Sequence, residues 1–347
     1  MTAEQVFICH GRPRLLIDVT QGTFFIRGWD GDTVRIEGYD GEIRQRGDKF
    51  YLDSSLPCSC NVYLPRRSEV YIDGINVEIN MAGIQGKGRI DCTNGSISIE
   101  DWQGDLNIDC TGANARLSQC KGDIRFDSGS GNLDISSSQG NVVCDTSSGS
   151  ITIQDCSGSI SADTGSGNVQ VANFRGPVHI DTSEGDAMLQ SVFSRNVYVD
   201  SGGGSITAVL PGAAPGRWQL TTGSGDIDLQ VPDNISSRFD FEGRELDVDD
   251  LNLDILVRED DGIKGRINQG EGTIRAASSS GTISARRVSA VATAESQWQV
   301  QDEEALQILR LLEKGTITTD EADRLLAALN GSGEAPSELE DRKWKKK

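Results

Sequence analysis

Residues 91–144 decide the fold of this chain. They read DCTNGSISIEDWQGDLNI, DCTGANARLSQCKGDIRF and DSGSGNLDISSSQGNVVC, three units of 18 residues that each begin with aspartate. A fixed period of this length is typical of a chain that winds around an axis and stacks one turn on another. The spacing continues to residue 199 and therefore predicts a solenoid with regular coils over residues 91–199. The aspartates that begin these coils are Asp91, Asp109, Asp127, Asp145, Asp163 and Asp181.

Each unit contains two short segments in which apolar and polar residues alternate. In the first unit the apolar pairs are Ile97 with Ile99 and Leu106 with Ile108. Alternation with a period of two is the pattern of a strand with one buried face. Each coil is therefore predicted to hold two strands around a narrow core. A bulky residue between the two pairs, such as Trp102, is expected to plug one edge.

Glycines recur at two positions of the unit, represented by Gly95 and Gly104, and are predicted to mark turns with a positive φ angle. The pattern continues with insertions over residues 15–285, so that residues 17–36 are interpreted as one coil and residues 267–285 as the last two. We expect about a dozen coils, all parallel and stacked in sequence order about 4.8 Å apart, which gives a rod about 60 Å long.

From residue 302 the apolar period becomes that of a helix, and glycines at positions 315 and 331 end two short segments. The pattern predicts a helical hairpin over residues 302–331. Such a hairpin is too small to form a stable core of its own. It is therefore predicted to dock on the end of the rod, on a second copy or on another protein. Its predicted docking surface consists of Leu306, Leu309, Leu312, Leu325, Leu326 and Leu329.

The remaining segments are interpreted as connections. Residues 1–14 lead into the solenoid, residues 286–301 form a linker or a closing strand, and residues 332–347 form a flexible tail with a basic end. The tail could contact anionic lipid at about 1 kcal/mol per basic residue, although a solvated tail is the simpler interpretation. The predicted membrane-contact residues are Arg342, Lys343, Trp344, Lys345, Lys346 and Lys347.

Composition limits the partners and the compartment. A net charge of −20 opposes binding to phosphate backbones, so we expect no nucleic acid partner. The first residues lack a basic segment followed by a long apolar core, and no apolar run approaches the roughly 18 residues that cross a bilayer. The 8 cysteines, with no export signal, favour a reducing compartment. The expected location is the cytoplasm, with weak peripheral contact at the inner membrane surface.

The repeated aspartates allow two interpretations. Each precedes Cys, Ser or Thr and then a turn, where the carboxylate could accept N–H groups of the turn as a structural cap. Alternatively, stacked carboxylates could bind cations. Nine-residue calcium repeats have the form GGxGxD, which the stretch from Gly129 to Asp134 does not match. We favour the structural interpretation and expect no cofactor.

The cysteines and histidines indicate no established type of site. Cys92 and Cys110 lie at the same position of consecutive coils, within the distance that a disulfide can span. Cys58 and Cys60 form a C-x-C sequence with no second pair or neighbouring histidine, which is a poor zinc site. His179 is expected to be a lone exposed imidazole. We interpret the cysteines as small packing residues.

The segment CNVYLP (residues 60–65), the segment VYID (residues 70–73) and units such as TSSGSITI (residues 146–153) resemble the bacterial adhesin-like family of β-strand-repeat proteins. The resemblance implies a β-solenoid over about residues 15–285 and a domain of unknown function. The segment LRLLEKGTIT (residues 309–318) is similar to the SHOCT-like helical hairpin that often accompanies such repeats. The resemblance implies a role in envelope-stress sensing or surface display, without catalytic residues.

The sequence contains no GxSxG elbow, P-loop or HExxH motif. We therefore predict an all-β parallel β-solenoid with a small C-terminal α-helical hairpin that acts as a non-enzymatic scaffold. Its partner would be a protein or a second copy, bound through the hairpin or the rod ends, where open coils would expose unpaired backbone groups. The alternatives are a self-assembling rod and a solenoid that binds or cleaves polysaccharide.

Overall fold

The computed structural model describes residues 4–212 and 216–289, and the regular structure in these ranges is almost entirely β-strand. Asp249–Leu251 forms a single 3-10 turn there. The strands consist of alternating inward apolar and outward polar residues, rich in the β-branched side chains that suit a pleated surface. The predicted all-β solenoid is confirmed. The predicted helical hairpin lies outside the described residues.

The strands are numbered in chain order. The first thirteen are β1 (Glu4–Ile8), β2 (Arg14–Trp29), β3 (Thr33–Glu37), β4 (Ile43–Arg46), β5 (Lys49–Ser54), β6 (Cys58–Pro65), β7 (Glu69–Gln85), β8 (Gly88–Gln103), β9 (Leu106–Cys110), β10 (Asn114–Ser118), β11 (Ile124–Ser128), β12 (Leu133–Ser136) and β13 (Gln139–Thr146). The others are β14 (Ile151–Thr164), β15 (Val169–Arg175), β16 (Val178–Thr182), β17 (Ala187–Phe193), β18 (Asn196–Ser201), β19 (Ile206–Val209), β20 (Arg217–Thr222), β21 (Ile227–Pro232), β22 (Ser237–Asp247), β23 (Asp254–Arg258), β24 (Gly262–Ile267) and β25 (Gly272–Val288).

Strand register confirms the 18-residue repeat in the centre of the stack. β11 pairs in parallel with β9 and with β13, so that Asp127 lies between Asp109 and Asp145. On the other side of the same coil, β12 pairs in parallel with β10 and with β14, which places Leu133 against Ile151. Each central coil therefore lies on the coil that precedes it in the sequence.

The inward side chains of the coils form one continuous apolar core. The alternating residues that the sequence indicated are buried, and Ile97 and Ile99 are at most 2% exposed. Trp102 is buried and closes one edge of its coil, as predicted, and Phe174 does the same four coils later. Each buried side chain of this size stabilises the fold by roughly 1.5–3 kcal/mol. The stack is therefore stabilised by many buried side chains that each contribute a similar free energy.

Glycines make two of the recurrent corners, for different reasons. At the later corner five glycines have φ between 125° and 143°, and a Cβ on Gly158 would lie 1.8 Å from the carbonyl oxygen of Gly140. At the earlier corner the predicted positive φ is present at Gly95 but not at Gly167. There the requirement is space, because a Cβ on Gly167 would lie 1.9 Å from the carbonyl oxygen of Gly149. The five glycines are Gly104, Gly122, Gly140, Gly158 and Gly176.

A third corner is made by residues other than glycine, which the sequence analysis missed. One residue in each central coil has φ between 49° and 55°, a left-handed conformation that costs about 1–2 kcal/mol for an L-residue. Hydrogen bonds between neighbouring coils offset part of this cost, since Asn173 Nδ2 donates to Asp155 Oδ1 at 3.0 Å. The six residues are Asp101, Gln119, Ser137, Asp155, Asn173 and Ser191.

At the amino-terminal end the spatial order of the coils differs from the sequence order. β2 pairs in parallel with β7 on one side and with β5 and β6 on the other. The coil of residues 14–29 therefore lies between those of residues 49–65 and 69–85. The interpretation of residues 17–36 as one coil is wrong, because the turn at residues 30–32 reverses the chain and β3 pairs antiparallel with β1 and β6. Asp30, Gly31 and Asp32 are typical residues for such a turn.

A similar insertion occurs at the other end. β25 pairs in parallel with β20 and β21 on one side and with β22 on the other. Residues 272–288 are therefore one coil with two apolar segments, and the prediction of two last coils over residues 267–285 is wrong. Ile267 belongs to β24, which pairs antiparallel with β22 and β23.

Both ends of the stack are covered by antiparallel strands, so the predictions of an entirely parallel sheet and of open terminal coils are wrong. β4 covers β5 and β3 covers β6 at one end, and β24 covers β22 at the other. One outward position can be followed from Asp53 to Glu242 through thirteen paired levels. At about 4.8 Å per level, the stack measures about 58 Å, close to the predicted length.

Candidate interaction surfaces

The repeated aspartates belong to a longer outward-facing row that we call the Asp file. The strand register extends the six predicted positions at both ends, so that ten aspartates from ten consecutive coils lie side by side. Neighbouring strands are about 4.8 Å apart, which makes this row a continuous acidic stripe. In spatial order the file contains Asp53, Asp18, Asp73, Asp91, Asp109, Asp127, Asp145, Asp163, Asp181 and Asp200.

The electrostatics of the Asp file vary along its length. Arg89 donates to Asp91 Oδ2 at 2.9 Å and therefore offsets part of the charge near one end. In the middle, desolvation raises the pKa of Asp163, and the adjacent carboxylates of Asp145 and Asp181 raise it further. Among residues 4–212 and 216–289, no three His, Cys, Asp or Glu side chains are arranged to hold a metal ion. The Asp file is therefore a row to which each coil contributes one carboxylate.

The turn caps are hydroxyl groups, which corrects the prediction that the aspartates cap the turns. In the five coils that begin at Asp127, Asp145, Asp163, Asp181 and Asp200, the next residue points inward. Its hydroxyl accepts a hydrogen bond from a glycine N–H three residues later, as Thr164 Oγ1 does from Gly167 at 3.1 Å, and two later coils have the same bond without the aspartate. Seven such bonds measure between 2.8 and 3.1 Å. These buried residues, which we call the hydroxyl file, are Ser128, Thr146, Thr164, Thr182, Ser201, Thr222 and Ser278.

Cys92 and Cys110 continue the hydroxyl file towards the amino-terminal end. They are register partners in β8 and β9, and Cys110 is in turn the partner of Ser128. Both thiols are buried, at 8% and 4% exposure. Hydrogen bonds lower the pKa of the Cys110 thiol, the largest contribution coming from the Cys92 side chain and a smaller one from Ser128. The predicted proximity of the two cysteines is therefore present.

The other cysteines fit the prediction of packing residues. All eight cysteines are free thiols, and only Cys58 among them is not buried. Burial raises the pKa of Cys60 to about 12 and that of Cys156 to about 11, so these thiols are protonated at neutral pH.

His179 is not a lone imidazole, contrary to the prediction. Its ring stacks on that of Tyr198, with centroids 4.8 Å apart and planes within 9°. The two residues are register partners on an outward face next to the Asp file. The sequence analysis missed this pair because Asp200 follows Asp181 by 19 residues, and the extra residue breaks the regular spacing just before Tyr198.

Two edge strands carry exposed apolar side chains. β23 pairs only with β24 among the described strands, and its Ile255, Leu256 and Val257 are between 42% and 58% exposed. At the other end, β1 pairs only with β3 among these strands, and its Val6 and Ile8 are 55% and 64% exposed. Each end therefore presents an unpaired strand edge with apolar side chains.

The predicted docking and membrane-contact residues belong to the C-terminal part of the chain. The hairpin leucines, Leu306, Leu309, Leu312, Leu325, Leu326 and Leu329, lie outside the described residues, as do Arg342, Lys343, Trp344, Lys345, Lys346 and Lys347 of the tail. Within the described ranges, no helix has the length and hydropathy that crossing a bilayer requires. These residues stay predictions from the sequence.

Comparison with known proteins identifies two family models. Residues 117–286 match the model described as Toastrack DUF4097, and residues 303–334 match the model described as a SHOCT-like domain. No curated protein matches the chain.

Two solved structures show a weaker likeness. A "putative cell adhesion protein" from Clostridium sporogenes is 11% identical, with 83% of this chain and 100% of that chain covered and a TM-score of 0.16. A "putative adhesin" from Bacteroides fragilis is 10% identical, with 83% and 97% covered and a TM-score of 0.22. Both TM-scores are too low to carry an argument. The two family models bear out the sequence resemblance, and the chain therefore contains a Toastrack domain and, towards its C-terminal end, a SHOCT-like domain.

Proposed function

We propose that this chain is a non-enzymatic interaction protein in which the β-solenoid is a rigid display surface. The observation that carries the proposal is the register of the coils, which repeats an aspartate at a spacing of about 4.8 Å along the Asp file. Such a surface suits an extended or repetitive partner. The acidic stripe favours a partner with basic groups, because complementary charge steers association.

The predicted hairpin supplies the second half of the proposal. Its leucine stripe is a docking surface for a protein partner or for a second copy, because two helices of this length cannot bury that stripe between themselves. Full-length protein with Leu309→Asp and Leu325→Asp tests this role. We expect these substitutions to change the oligomeric state measured by light scattering or to abolish copurification of a partner. The matched control is Gln307→Asp, which lies off the leucine stripe.

Unchanged assembly and unchanged copurification in the leucine variant would contradict a docking role for the hairpin. The same result in both the variant and the Gln307→Asp control would show that the effect is one of added charge. Loss of assembly only in the leucine variant supports the proposal.

We also propose that the protein works at the cytoplasmic side of the inner membrane, in envelope-stress sensing or in assembly at that surface. The support is the basic end of the tail, which attracts anionic lipid at about 1 kcal/mol per basic residue. Flotation with vesicles of phosphatidylglycerol and phosphatidylcholine tests the contact. We expect replacement of Lys343, Lys345, Lys346 and Lys347 by glutamine to reduce binding, and equal binding would contradict the membrane contact.

A second candidate function is self-association through the edge strands, and the exposed apolar side chains of β1 and β23 favour it. An unpaired edge is a template for another strand. If the ends associate, Leu256→Lys should shift a concentration-dependent oligomer towards the monomer in light scattering. The control is Val143→Lys, which adds the same charge to an exposed apolar position in the middle of the stack. A strict monomer at high concentration would reject this candidate.

A further inference from the structure

A cleft at the amino-terminal part of the stack gathers cationic side chains. It has a volume of about 800 Å³, and its lining includes Arg12, Arg67, Lys87 and the carboxylate of Asp105. Three positive groups and one negative group leave a local charge of about +2 in a chain with a net charge of −20. The cleft is therefore locally positive in a protein that is negatively charged overall.

The cations come from three separate turns that the coil insertion brings together. Arg12 precedes β2, Arg67 precedes β7, and Lys87 lies between β7 and β8. Because β2 pairs with β7 and β7 pairs with β8, these turns lie on consecutive levels of the stack. The sequence analysis missed the site because it placed the coil of residues 14–29 at the end of the stack.

Two of the three cations have no carboxylate partner. Within the described ranges, neither Arg12 nor Arg67 makes an ion pair, and Arg12 donates only to the carbonyl oxygen of Gln85 at 3.2 Å. Lys87 Nζ lies 3.7 Å from Asp105 Oδ2, and both side chains are exposed, so that this pair is weak. The neighbouring Arg66, in contrast, pairs with Asp30 Oδ1 at 2.8 Å. The two arginines of the cleft therefore lack a carboxylate partner, whereas the neighbouring Arg66 has one.

Glycines contribute backbone to the lining of the cleft. Gly86 and Gly104 line it, and the Arg12 guanidinium lies 3.1 Å from the place that a Cβ on Gly86 would occupy. No side chain at position 86 therefore separates a ligand from the Arg12 guanidinium. Turn positions are held by main-chain hydrogen bonds, such as that from Gln85 N to Arg66 O at 2.6 Å, so the cations are carried on a rigid frame.

We propose that this cleft binds a doubly charged oxyanion of the phosphate monoester type. A phosphate monoester carries about −1.5 to −2 charges at neutral pH, which matches the local excess of about +2. Guanidinium groups bind such oxygens through paired N–H donors, and the lysine adds a point charge. A carboxylate would neutralise only half of the excess. The phosphate group can belong to a small soluble molecule or to the headgroup of a lipid.

The test uses the full-length protein at low ionic strength with three probes. Inorganic phosphate is titrated calorimetrically, acetate serves as the singly charged probe, and vesicles of phosphatidic acid in phosphatidylcholine present the group on a lipid. The double variant Arg12→Gln with Arg67→Gln removes the unpaired guanidinium groups. The matched control is Arg116→Gln, an exposed arginine that pairs with Asp134 Oδ2 at 3.4 Å outside the cleft.

We expect the double variant to bind phosphate at least about tenfold more weakly than wild type, because it lacks both guanidinium groups that would donate charge-assisted hydrogen bonds to the oxyanion. The Arg116→Gln control should bind as wild type does. Circular dichroism of the double variant should retain the wild-type melting transition, since neither guanidinium supports the fold through an ion pair. Binding of phosphatidic acid vesicles but not of inorganic phosphate, lost in the double variant, would assign the site to a lipid headgroup.

The proposal is overturned if wild type binds neither phosphate nor the vesicles, or if the double variant binds phosphate as well as wild type does. It is also overturned if wild type binds only the vesicles and the double variant retains that binding. Equal affinity for acetate and phosphate would also overturn it. Vesicle binding through the basic tail is distinguished from the cleft because it persists in the double variant and disappears in the lysine variant of the tail. The two proposals can therefore fail independently.

Discussion

Cys92 and Cys110 stand side by side on adjacent coils, as register partners in β8 and β9 at the place where later coils carry serine or threonine. Paired positions on neighbouring strands are separated by about 4.8 Å, within the Cα–Cα range of about 4.4–6.8 Å that a disulfide spans. The neighbouring Cys92 side chain makes the largest contribution to lowering the pKa of the Cys110 thiol, which favours its thiolate. The thiolate is the reactive form of cysteine.

This arrangement predicts that mild oxidation joins Cys92 to Cys110. Hydrogen peroxide takes one proton and one electron from each thiol, the two sulfur atoms form the S–S bond, and the peroxide is reduced to two water molecules. Both cysteines lie in the tryptic peptide of residues 90–116, which should become lighter by two hydrogens under non-reducing conditions. Cys120 and Cys156 lie two coils apart and should stay unlinked. A peptide of unchanged mass, or a bond between other cysteines, would contradict the prediction.

The hydroxyl file predicts a specific cost for losing one hydroxyl. Thr164→Val keeps the shape of the side chain but leaves the buried N–H of Gly167 without its acceptor. An unsatisfied buried donor costs about 1–3 kcal/mol. Chemical denaturation followed by circular dichroism should show this decrease in the free energy of unfolding.

The control for this substitution is Thr152→Val, which changes an outward threonine of β14. It should leave stability nearly unchanged because no hydroxyl bond is lost from a buried turn. If the two variants lose equal stability, the hydroxyl file does not stabilise the turns.

The glycines of the later corner predict a large effect of one methyl group. Gly158 has φ of 133°, and a Cβ there would lie 1.8 Å from the carbonyl oxygen of Gly140. Backbone strain and overpacking each cost about 1–3 kcal/mol, so Gly158→Ala should destabilise the protein by about 2–6 kcal/mol. Thermal denaturation measures this loss.

Gly47→Ala is the matched control, because Gly47 also has a positive φ, of 61°, but has nothing within 4 Å of the added Cβ. Its expected cost is about 1–2 kcal/mol from the backbone conformation alone. If Gly158→Ala and Gly47→Ala destabilise the protein equally, the backbones of neighbouring coils are farther apart at Gly158 than the structure shows.

The Asp file predicts a pH dependence of stability. Desolvation and the neighbouring carboxylates raise the pKa of Asp163 above its ordinary value of 3.8. A raised folded-state pKa means that the stabilising contribution is complete below 3.8 and is lost as pH rises through the folded-state value. Asp163→Asn should therefore be more stable than wild type near neutral pH, by less than about 1 kcal/mol because the group is exposed, and the difference should vanish in acid.

Denaturation at both pH values, repeated at high salt, checks this expectation, since salt should shrink the difference. Asp134→Asn is the opposite control, because it removes the partner of Arg116 and should give no stabilisation. Asp163→Asn that is less stable than wild type at neutral pH would show that the file is stabilised by something other than the described groups.

The sequence alone predicts the parts of the fold that repeat. Ile97, Trp102 and the glycine at position 104 carry their roles in their spacing, because each coil imposes the same environment as its neighbours. The two ends could not be predicted, since a coil inserted between two others leaves no mark on the period. Asp18 pairs with both Asp53 and Asp73. The order of these three similar coils is set by tertiary packing and not by their spacing in the sequence.

The candidate surfaces, like the fold, could be predicted from the sequence only where the residues repeat. The Asp file was visible as a period, but its role was misassigned because aspartate and the hydroxyl residue that follows it are adjacent, and only the direction of each side chain shows which one caps the turn. The cleft at Arg12 and Arg67 depends on the inserted coil and was therefore invisible. The stacking of His179 on Tyr198 was hidden by a single extra residue.

The central claim is that the coils stack in register along one axis, and the distance between two distant outward residues tests it most directly. Asn107 and Gln219 lie on one face, six levels apart through consecutive strand pairs. Spin labels on Asn107→Cys and Gln219→Cys, in a background with the half-buried Cys58 changed to serine, should be about 29 Å apart. A distance far below this value, towards the separation of about 10 Å between two packed sheets, would contradict the stack.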